Sequence, residues 1–170
     1  SWSGLLFDMD NDGLRDMHVT NGYRREVSSR DFADFTFPEV RQESQGKQLR
    51  DAYPNLNDFL QLIPTFKVRN FCFQNSDNWQ FGDAGGKWMT IPAAWSCGAA
   101  WADFDADGDL DLVVNNLEQP AFIYENKTKG KPGGNYLQLK LQGSATNPFA
   151  VGASATITYK NGRQQYLELY

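Results

Sequence analysis

Two short acidic stretches constrain this chain more strongly than any other feature. Residues 8–16 read DMDNDGLRD and residues 103–111 read DFDADGDLD, so both fit D-x-D-x-D-G-x-x-D. In this pattern alternate carboxylates can turn toward one point, the glycine permits a sharp bend, and the last Asp closes the ring. Calcium takes roughly 6–8 oxygen ligands at about 2.3–2.6 Å, so each stretch predicts a Ca²⁺ loop. A solvated acidic turn is the alternative, but two complete copies of the pattern favour the metal.

The position of each residue in the pattern predicts its role as a ligand. The first site is expected to use the main-chain carbonyl of Leu14 and the side chains of Asp8, Asp10, Asp12 and Asp16. The second is expected to use the main-chain carbonyl of Asp109 and the side chains of Asp103, Asp105, Asp107 and Asp111. An EF-hand needs an acidic residue at loop position 12 and a helix on each side. Position 12 is valine in both copies, and strand-like residues follow, so the loops are predicted to join β-strands.

The acidity of the chain is mostly the acidity of these loops. They hold nine of the 21 acidic residues, which leaves 12 against 16 lysines and arginines. Two bound Ca²⁺ would bring the formal charge from −5 to −1. No stripe rich in lysine and arginine indicates a nucleic-acid surface. No apolar run reaches the roughly 18 residues expected of a membrane span.

The chain offers few residues for other metal or thiol chemistry. Cys72 and Cys97 belong to no C-x-x-C motif, and His18 is the only histidine, so neither a zinc site nor a thiol redox centre is supported. A disulfide between the two cysteines stays open. His18 falls at a strand position, where we expect a packed or edge residue rather than a ligand.

The two loops belong to a longer internal repeat. They begin 95 residues apart (103 minus 8), and a strand that ends in asparagine follows each of them, at residues 71–75 and 122–126. The spacing from the last loop Asp to that asparagine is 59 residues in the first copy (75 minus 16) and 15 in the second (126 minus 111). The first copy therefore carries a 44-residue insertion. A repeated strand unit with one metal loop predicts β-propeller blades, which bury their faces by stacking on neighbours.

We therefore predict a mainly β chain with about two blades of a partial propeller. Residues 1–91 would form the first blade, interrupted by a helical insertion at about 23–67 that includes a short helix at 57–63, capped by Asn55 or Asn57. Residues 92–129 would form the second blade, and a strand is also predicted at 88–91. After a linker at 130–134, residues 130–170 would form a β module with a hairpin turn at Asn161-Gly162. We expect the chain to be a piece of a longer protein, with the remaining blades outside it.

Residues 98–116, GAAWADFDADGDLDLVVNN, together with residues 121–126 resemble the FG-GAP or VCBS-type calcium propeller repeat. Residues 147–158 resemble the start of an ASPIC/UnbV segment, of which we expect a truncated part that ends at Tyr170, and the insertion is similar to a form common in Bacteroidetes. The resemblance implies a seven-bladed, integrin-α-like propeller of the cell surface, periplasm or extracellular space. Relatives include the cartilage acidic protein, and the family is not securely tied to a catalytic activity.

The leading functional hypothesis is a non-catalytic, calcium-stabilised binding module with a protein or glycan partner at the cell surface. One alternative is a subunit of an outer-membrane nutrient-uptake assembly, with the insertion as its docking element. Another is a carbohydrate-active enzyme domain, a polysaccharide hydrolase or lyase, in which two carboxylates act as acid and base. Acids outside the loops are candidates for that chemistry: Asp77, Asp83 and Glu118. Four tryptophans are candidates for stacking on sugars: Trp79, Trp88, Trp95 and Trp101.

Overall fold

The described part of the chain is mainly β. The computed structural model describes residues 2–25, 30, 34, 37–43, 51, 54–76, 79–128 and 136–169. Within these ranges the strands form three antiparallel sheets of four, three and two strands. The predicted mainly β class is confirmed at this level. None of the described sheets closes into a ring, and the division into propeller blades stays a prediction.

The first sheet contains the first acidic loop. Its strands, which pair in chain order, are β1 (Gly4–Phe7), β2 (Asp16–Val19), β3 (Phe71–Ser76) and β4 (Gln80–Asp83). Residues 8–15 connect β1 to β2, and Phe7 is the register partner of Asp16. The loop is therefore closed at its base by the last strand pair. Strand β2 then pairs with β3 although the chain makes a long excursion between them.

The excursion contains two described helices, α1 (Phe37–Glu43) and α2 (Leu56–Gln61). Helix α2 begins after Asn55, whose side-chain oxygen accepts a hydrogen bond from the backbone N–H of Asn57 at 3.0 Å. Of the two predicted caps, Asn55 is the one that the structure uses. The ends of the excursion meet through an isolated bridge between Arg25 and Thr65. Predictions for residues 26–29 and 44–50 lie outside the described residues.

The second sheet repeats the strand arrangement around the second acidic loop. Its strands are β5 (Ser96–Ala102), β6 (Asp111–Asn116) and β7 (Phe122–Tyr124). Residues 103–110 connect β5 to β6, and Ala102 is the register partner of Asp111. This pair corresponds to Phe7 and Asp16 in the first sheet. Both acidic stretches therefore join neighbouring antiparallel strands, as the sequence predicts.

The predicted strand at residues 88–91 is wrong. Residues Gly85–Trp88 form a short helix, α3, in which the N–H groups of Lys87 and Trp88 both donate to the carbonyl of Ala84. Trp88, Met89 and Ile91 are partly buried against the hydrophobic core. Their side chains therefore pack on the core without the pairing of a strand. Short apolar runs of this kind are compatible with either outcome.

The third sheet is a hairpin of β8 (Ser154–Thr158) and β9 (Gln164–Glu168). Its turn contains Gly162 at a φ of +83°, which favours glycine, and the predicted Asn161-Gly162 turn is confirmed. The described residues 136–142 form no strand and are exposed. The predicted linker at 130–134 lies outside the described residues.

The hydrophobic core lies between the two larger sheets. It is formed by buried side chains from both: Phe7, Met9, Cys72, Ala84, Leu112 and Val114. His18 on β2 is also fully buried, in agreement with a packed residue, and burial lowers its pKa to about 4, so it is neutral. Cys72 and Cys97 are free thiols. Both acidic loops therefore adjoin strands or residues that contribute to the same hydrophobic core.

Candidate metal centres

The first acidic loop is held in shape by hydrogen bonds from its own backbone. The carboxylate of Asp8 accepts from the N–H of Asp12 at 3.1 Å and from the N–H of Gly13 at 2.8 Å. The carboxylate of Asp12 accepts from the N–H of Leu14 at 2.7 Å. Gly13 has a φ of +85°, which explains the glycine at position 6. The backbone thus wraps around its own acidic side chains.

The second loop reproduces this arrangement. Asp103 accepts from the N–H of Asp107 at 3.0 Å and from the N–H of Gly108 at 3.1 Å, and Asp107 accepts from the N–H of Asp109 at 3.2 Å. Gly108 has a φ of +97°. Each of these bonds has its counterpart 95 residues earlier. The sequence repeat is therefore a repeat of backbone conformation as well.

The last Asp of the first loop connects the loop to the rest of its sheet. Asp16 is fully buried, and its two carboxylate oxygens accept from the N–H groups of Met9 and Asn75, each at 2.9 Å. Met9 lies within the loop, whereas Asn75 lies on β3. Asp16 thus fixes the loop to the strand that follows the long excursion.

Asp111 plays the same part in the second loop. It is 3% exposed, and its oxygens accept from the N–H of Phe104 at 3.0 Å and from the N–H of Asn126 at 2.8 Å. Asn126 lies two residues after the end of β7, whereas Asn75 lies on β3, yet the N–H of each donates to the last Asp of its loop. The asparagines therefore have equivalent places in the two units.

Each loop brings three carboxylates close enough to hold one metal ion. The triads are Asp8 with Asp10 and Asp12, and Asp103 with Asp105 and Asp111, and in each triad the ligand oxygens lie within 4.8 Å of one another. Two oxygens bound to one Ca²⁺ can be separated by at most twice the metal–oxygen distance, about 4.6–5.2 Å. An all-oxygen donor set at this spacing fits a hard cation.

The triads are a subset of the predicted ligands. Asp16 is not a member of the first triad, and Asp107 is not a member of the second. Asp109 is buried, and its side chain accepts from the N–H of Thr128 at 2.8 Å, so that side chain is held by residue 128. The carbonyl ligands assigned to Leu14 and Asp109, and the full ligand sets, stay predictions.

Burial and mutual repulsion raise the pKa values of several loop carboxyls. Desolvation, followed by the neighbouring charges of Asp12 and Asp10, raises the pKa of Asp8 to about 6 against the lowering effect of its backbone hydrogen bonds. Desolvation is also the main cause that raises the pKa of Asp16 to about 7. The pKa of Asp105 is raised too. Ionisation of the loop carboxyls therefore costs free energy, and a bound cation would reduce that cost.

Sequence reasoning missed three residues that support the loops. Gln74 donates from Nε2 to Oδ2 of Asp10 at 2.7 Å. Asn75 and Asn126 donate from Nδ2 to the carbonyls of Arg15 and Leu110, at 3.0 and 3.2 Å. The recurrence of an asparagine at these positions is visible in the sequence, but the hydrogen bonds by which each holds its loop are not.

The residues considered for carbohydrate chemistry are mostly engaged in other contacts. Asp83 pairs with Arg69 at 3.2 Å and Glu118 with Arg24 at 2.6 Å, while Asp77 lies outside the described residues. Three tryptophans also have partners. Trp88 packs on the core, Trp101 stacks on Phe7, and Trp95 lies beneath the cations of Arg24 and Lys67. Trp79 is 84% exposed.

Comparison with known proteins adds no further assignment. No family model, curated protein or solved structure matches this chain. Within the ranges that the structure describes, no helix is both long enough and apolar enough to cross a membrane. The resemblance to the calcium propeller repeat therefore rests on the sequence motifs.

Proposed function

We propose that this chain is a non-catalytic, calcium-stabilised binding module with one Ca²⁺ in each acidic loop. The observation that carries the proposal is the repetition of the loop: two stretches 95 residues apart share their backbone hydrogen bonds, their glycine conformation and a cluster of carboxylates that could hold a metal ion. The all-oxygen donor set and the spacing of the oxygens favour Ca²⁺ over softer metals.

The role of the metal is structural in this proposal. Each loop concentrates carboxylates whose charges repel one another in the absence of a cation. A bound Ca²⁺ replaces that repulsion by attraction and fixes the connection between two strands. Because Asp16 joins its loop to β3 and Asp111 joins its loop to Asn126, just beyond β7, a rigid loop stabilises the sheet around it.

The module would be part of a propeller of the FG-GAP or VCBS type, followed by the start of an ASPIC/UnbV segment. Exposed apolar side chains on both larger sheets support this, since further blades would cover them: Leu6 on β1 is 53% exposed and Ile123 on β7 is 74% exposed. Extracellular calcium modules bind with Kd on the order of 10⁻⁴–10⁻³ M, which suits the cell surface, the periplasm or the extracellular space. The partner would be a protein or glycan there.

Calorimetric titration of the chelator-treated chain with Ca²⁺ tests the proposal, together with thermal melts. We expect two Ca²⁺ per chain and a rise in melting temperature, since a ligand at 100 times its Kd adds about 2.7 kcal/mol per site. Mg²⁺ should stabilise less, because it requires a smaller, near-octahedral shell.

Single-site variants assign the binding to the loops. Asp10→Ala and Asp105→Ala should each reduce the stoichiometry to one, whereas Glu118→Gln, which removes one negative charge outside the loops, should leave it at two. Absence of binding heat together with an unchanged melt would overturn the proposal.

A further inference from the structure

The two loops are connected to each other by a contact that breaks their symmetry. Nδ2 of Asn126 donates to the carbonyl of Leu110 in its own loop, and also to the carbonyl of Met9 in the other loop at 2.7 Å. For Asn75, the structure gives only the contacts within its own unit, to Arg15 and Asp16. A residue that follows the second sheet therefore contacts the first loop at Met9, which lies between the predicted ligands Asp8 and Asp10.

Thr128 fixes the orientation of the Asn126 amide. Its N–H and its hydroxyl both donate to Oδ1 of Asn126, at 3.1 and 2.6 Å. This identifies Oδ1 as the acceptor side and directs Nδ2 to the carbonyl of Met9. The Thr128 N–H also donates to Asp109, so the pair is tied to the second loop.

A continuous path of contacts leads from one triad to the other. Asp111, a member of the second triad, accepts from the N–H of Asn126, whose side chain holds the carbonyl of Met9. Met9 lies between Asp8 and Asp10 of the first triad, and its N–H donates to Asp16. Met9 and Thr128 are each 6% exposed, so water competes little for these bonds.

A second, weaker link joins the loops directly. Nδ2 of Asn11 in the first loop lies 3.5 Å from the carbonyl of Gly108 in the second. Two residues of the first loop therefore contact the second sheet and its loop: Met9 through its carbonyl and Asn11 through its side chain.

From these contacts we infer that the two loops bind Ca²⁺ with positive cooperativity, with Asn126 as the positioning residue that couples them. The inference rests on the proposed function, since it concerns the same two sites. Coupling between sites is reciprocal: emptying the second loop weakens the first by the same factor as the reverse. We expect a factor of about five or more, at the lower end of typical couplings.

The test is Ca²⁺ calorimetry on the full chain. Asp105→Ala removes the second site, and the Kd of the first is compared with its value in the two-site protein. Asp10→Ala gives the reverse comparison, and the two factors should agree. Asn126→Ala should remove most of the dependence of each site on the other, because only the longer contacts of Asn11 with Gly108 at 3.5 Å and of the Thr128 hydroxyl with the carbonyl of Met9 at 3.4 Å remain. A merely structural role would instead weaken both sites and leave that dependence intact.

Asn75→Ala is the matched control, because it removes the equivalent intraloop bond and no contact between the loops. It should weaken the first site while the coupling factor stays as in the unmodified chain. Thr128→Val provides a second test, because it keeps the shape of residue 128 and the backbone N–H that donates to Asp109. It removes the hydroxyl that donates to Asn126 and lies 3.4 Å from the carbonyl of Met9, and should reduce the coupling at least twofold. Circular dichroism verifies the fold of each variant.

The outcomes separate the two proposals. Two Ca²⁺ sites whose affinities are each unchanged when the other is removed would overturn the coupling and leave the proposed function standing. Absence of Ca²⁺ binding in the unmodified chain would overturn both.

Discussion

Phe7 and Trp101 stack across the junction of the two larger sheets, with ring centroids 5.5 Å apart and planes inclined by 19°. Phe7 ends β1 immediately before the first acidic loop, and Trp101 lies on β5 two residues before the second. Phe7 is almost fully buried, whereas Trp101 is 43% exposed. The aromatic pair therefore joins the bases of the two loops as well as the two sheets.

Removal of the Trp101 side chain should weaken the junction between the sheets. We expect Trp101→Ala to lower the free energy of unfolding by about 1–2 kcal/mol, because it loses a stacked ring and part of its buried area. Urea denaturation measures the change. Trp79→Ala, at an 84% exposed ring, is the control and should stay within about 0.5 kcal/mol of the unmodified chain. Equal losses for the two variants would contradict a specific role for the stack.

A buried polar network forms a second junction. Oγ of Ser96 on β5 accepts from Nδ2 of Asn70 at 2.9 Å and donates to Oδ1 of Asn116 at 2.7 Å. Ser96→Ala should cost about 1–3 kcal/mol, because it leaves a buried donor and a buried acceptor unpaired. Urea denaturation again gives the value. Ser76→Ala, whose hydroxyl donates to Gln80 at an exposed site, should change stability little. A Ser96→Ala chain as stable as the Ser76→Ala chain would contradict the network.

Local signals in the sequence were sufficient for the parts of the fold that local chemistry determines. The Asn161-Gly162 turn requires a residue at positive φ, and Gly162 provides it at +83°. The two acidic loops depend in the same way on Gly13 and Gly108. The short helix α3 was missed because one turn has too few residues to show a helical period, and Trp88 and Met89 look equally apolar in either conformation.

The residues that hold the candidate sites in place could be predicted only in part, because their hydrogen bonds join positions that are distant in sequence. The carboxylates lie within nine residues of each other, so their spacing indicates them directly. The Asn126 amide, by contrast, meets the carbonyl of Met9 across 117 positions. The sequence around either residue does not indicate this hydrogen bond, because it forms only when the two sheets pack on their common core.

The glycines at loop position 6 should resist substitution. Gly108 has a φ of +97°, and a Cβ there would overlap the ring of Tyr136. Gly108→Ala should therefore lower stability by about 1–2 kcal/mol from the backbone conformation alone, and should weaken Ca²⁺ binding at the second loop. Thermal melts and calorimetry measure the two effects. Gly4→Ala is the control, because a Cβ on β1 would meet open space. A Gly108→Ala chain that binds two Ca²⁺ with unchanged affinity would contradict the prediction.

The raised pKa values of Asp8 and Asp16 predict opposite pH dependence with and without calcium. Their folded pKa values of about 6 and about 7 exceed the ordinary value of 3.8, so between roughly pH 4 and pH 7 these two carboxyls bind more protons in the calcium-free folded chain than in the unfolded chain. His18, whose pKa is lowered from 6.5 to about 4 by burial, offsets part of this difference and does not reverse it. The stability of the calcium-free chain should therefore fall as the pH rises through this window. Melts in chelator at pH 5, 6, 7 and 8 should show the decrease.

Calcium should reverse this trend, because a carboxylate binds the metal only when it is ionised. At pH 8 both groups are charged and available, whereas at pH 5 protons compete for them, so the apparent Kd should be about tenfold or more weaker at pH 5. The gain in melting temperature from saturating Ca²⁺ should grow steadily from pH 5 to pH 8. The melts in chelator serve as the internal control, since they follow the opposite sign in the same buffers. A gain from Ca²⁺ that is constant over this range would show that Asp8 and Asp16 are already ionised at pH 5, and that their burial in the loops does not raise their pKa values.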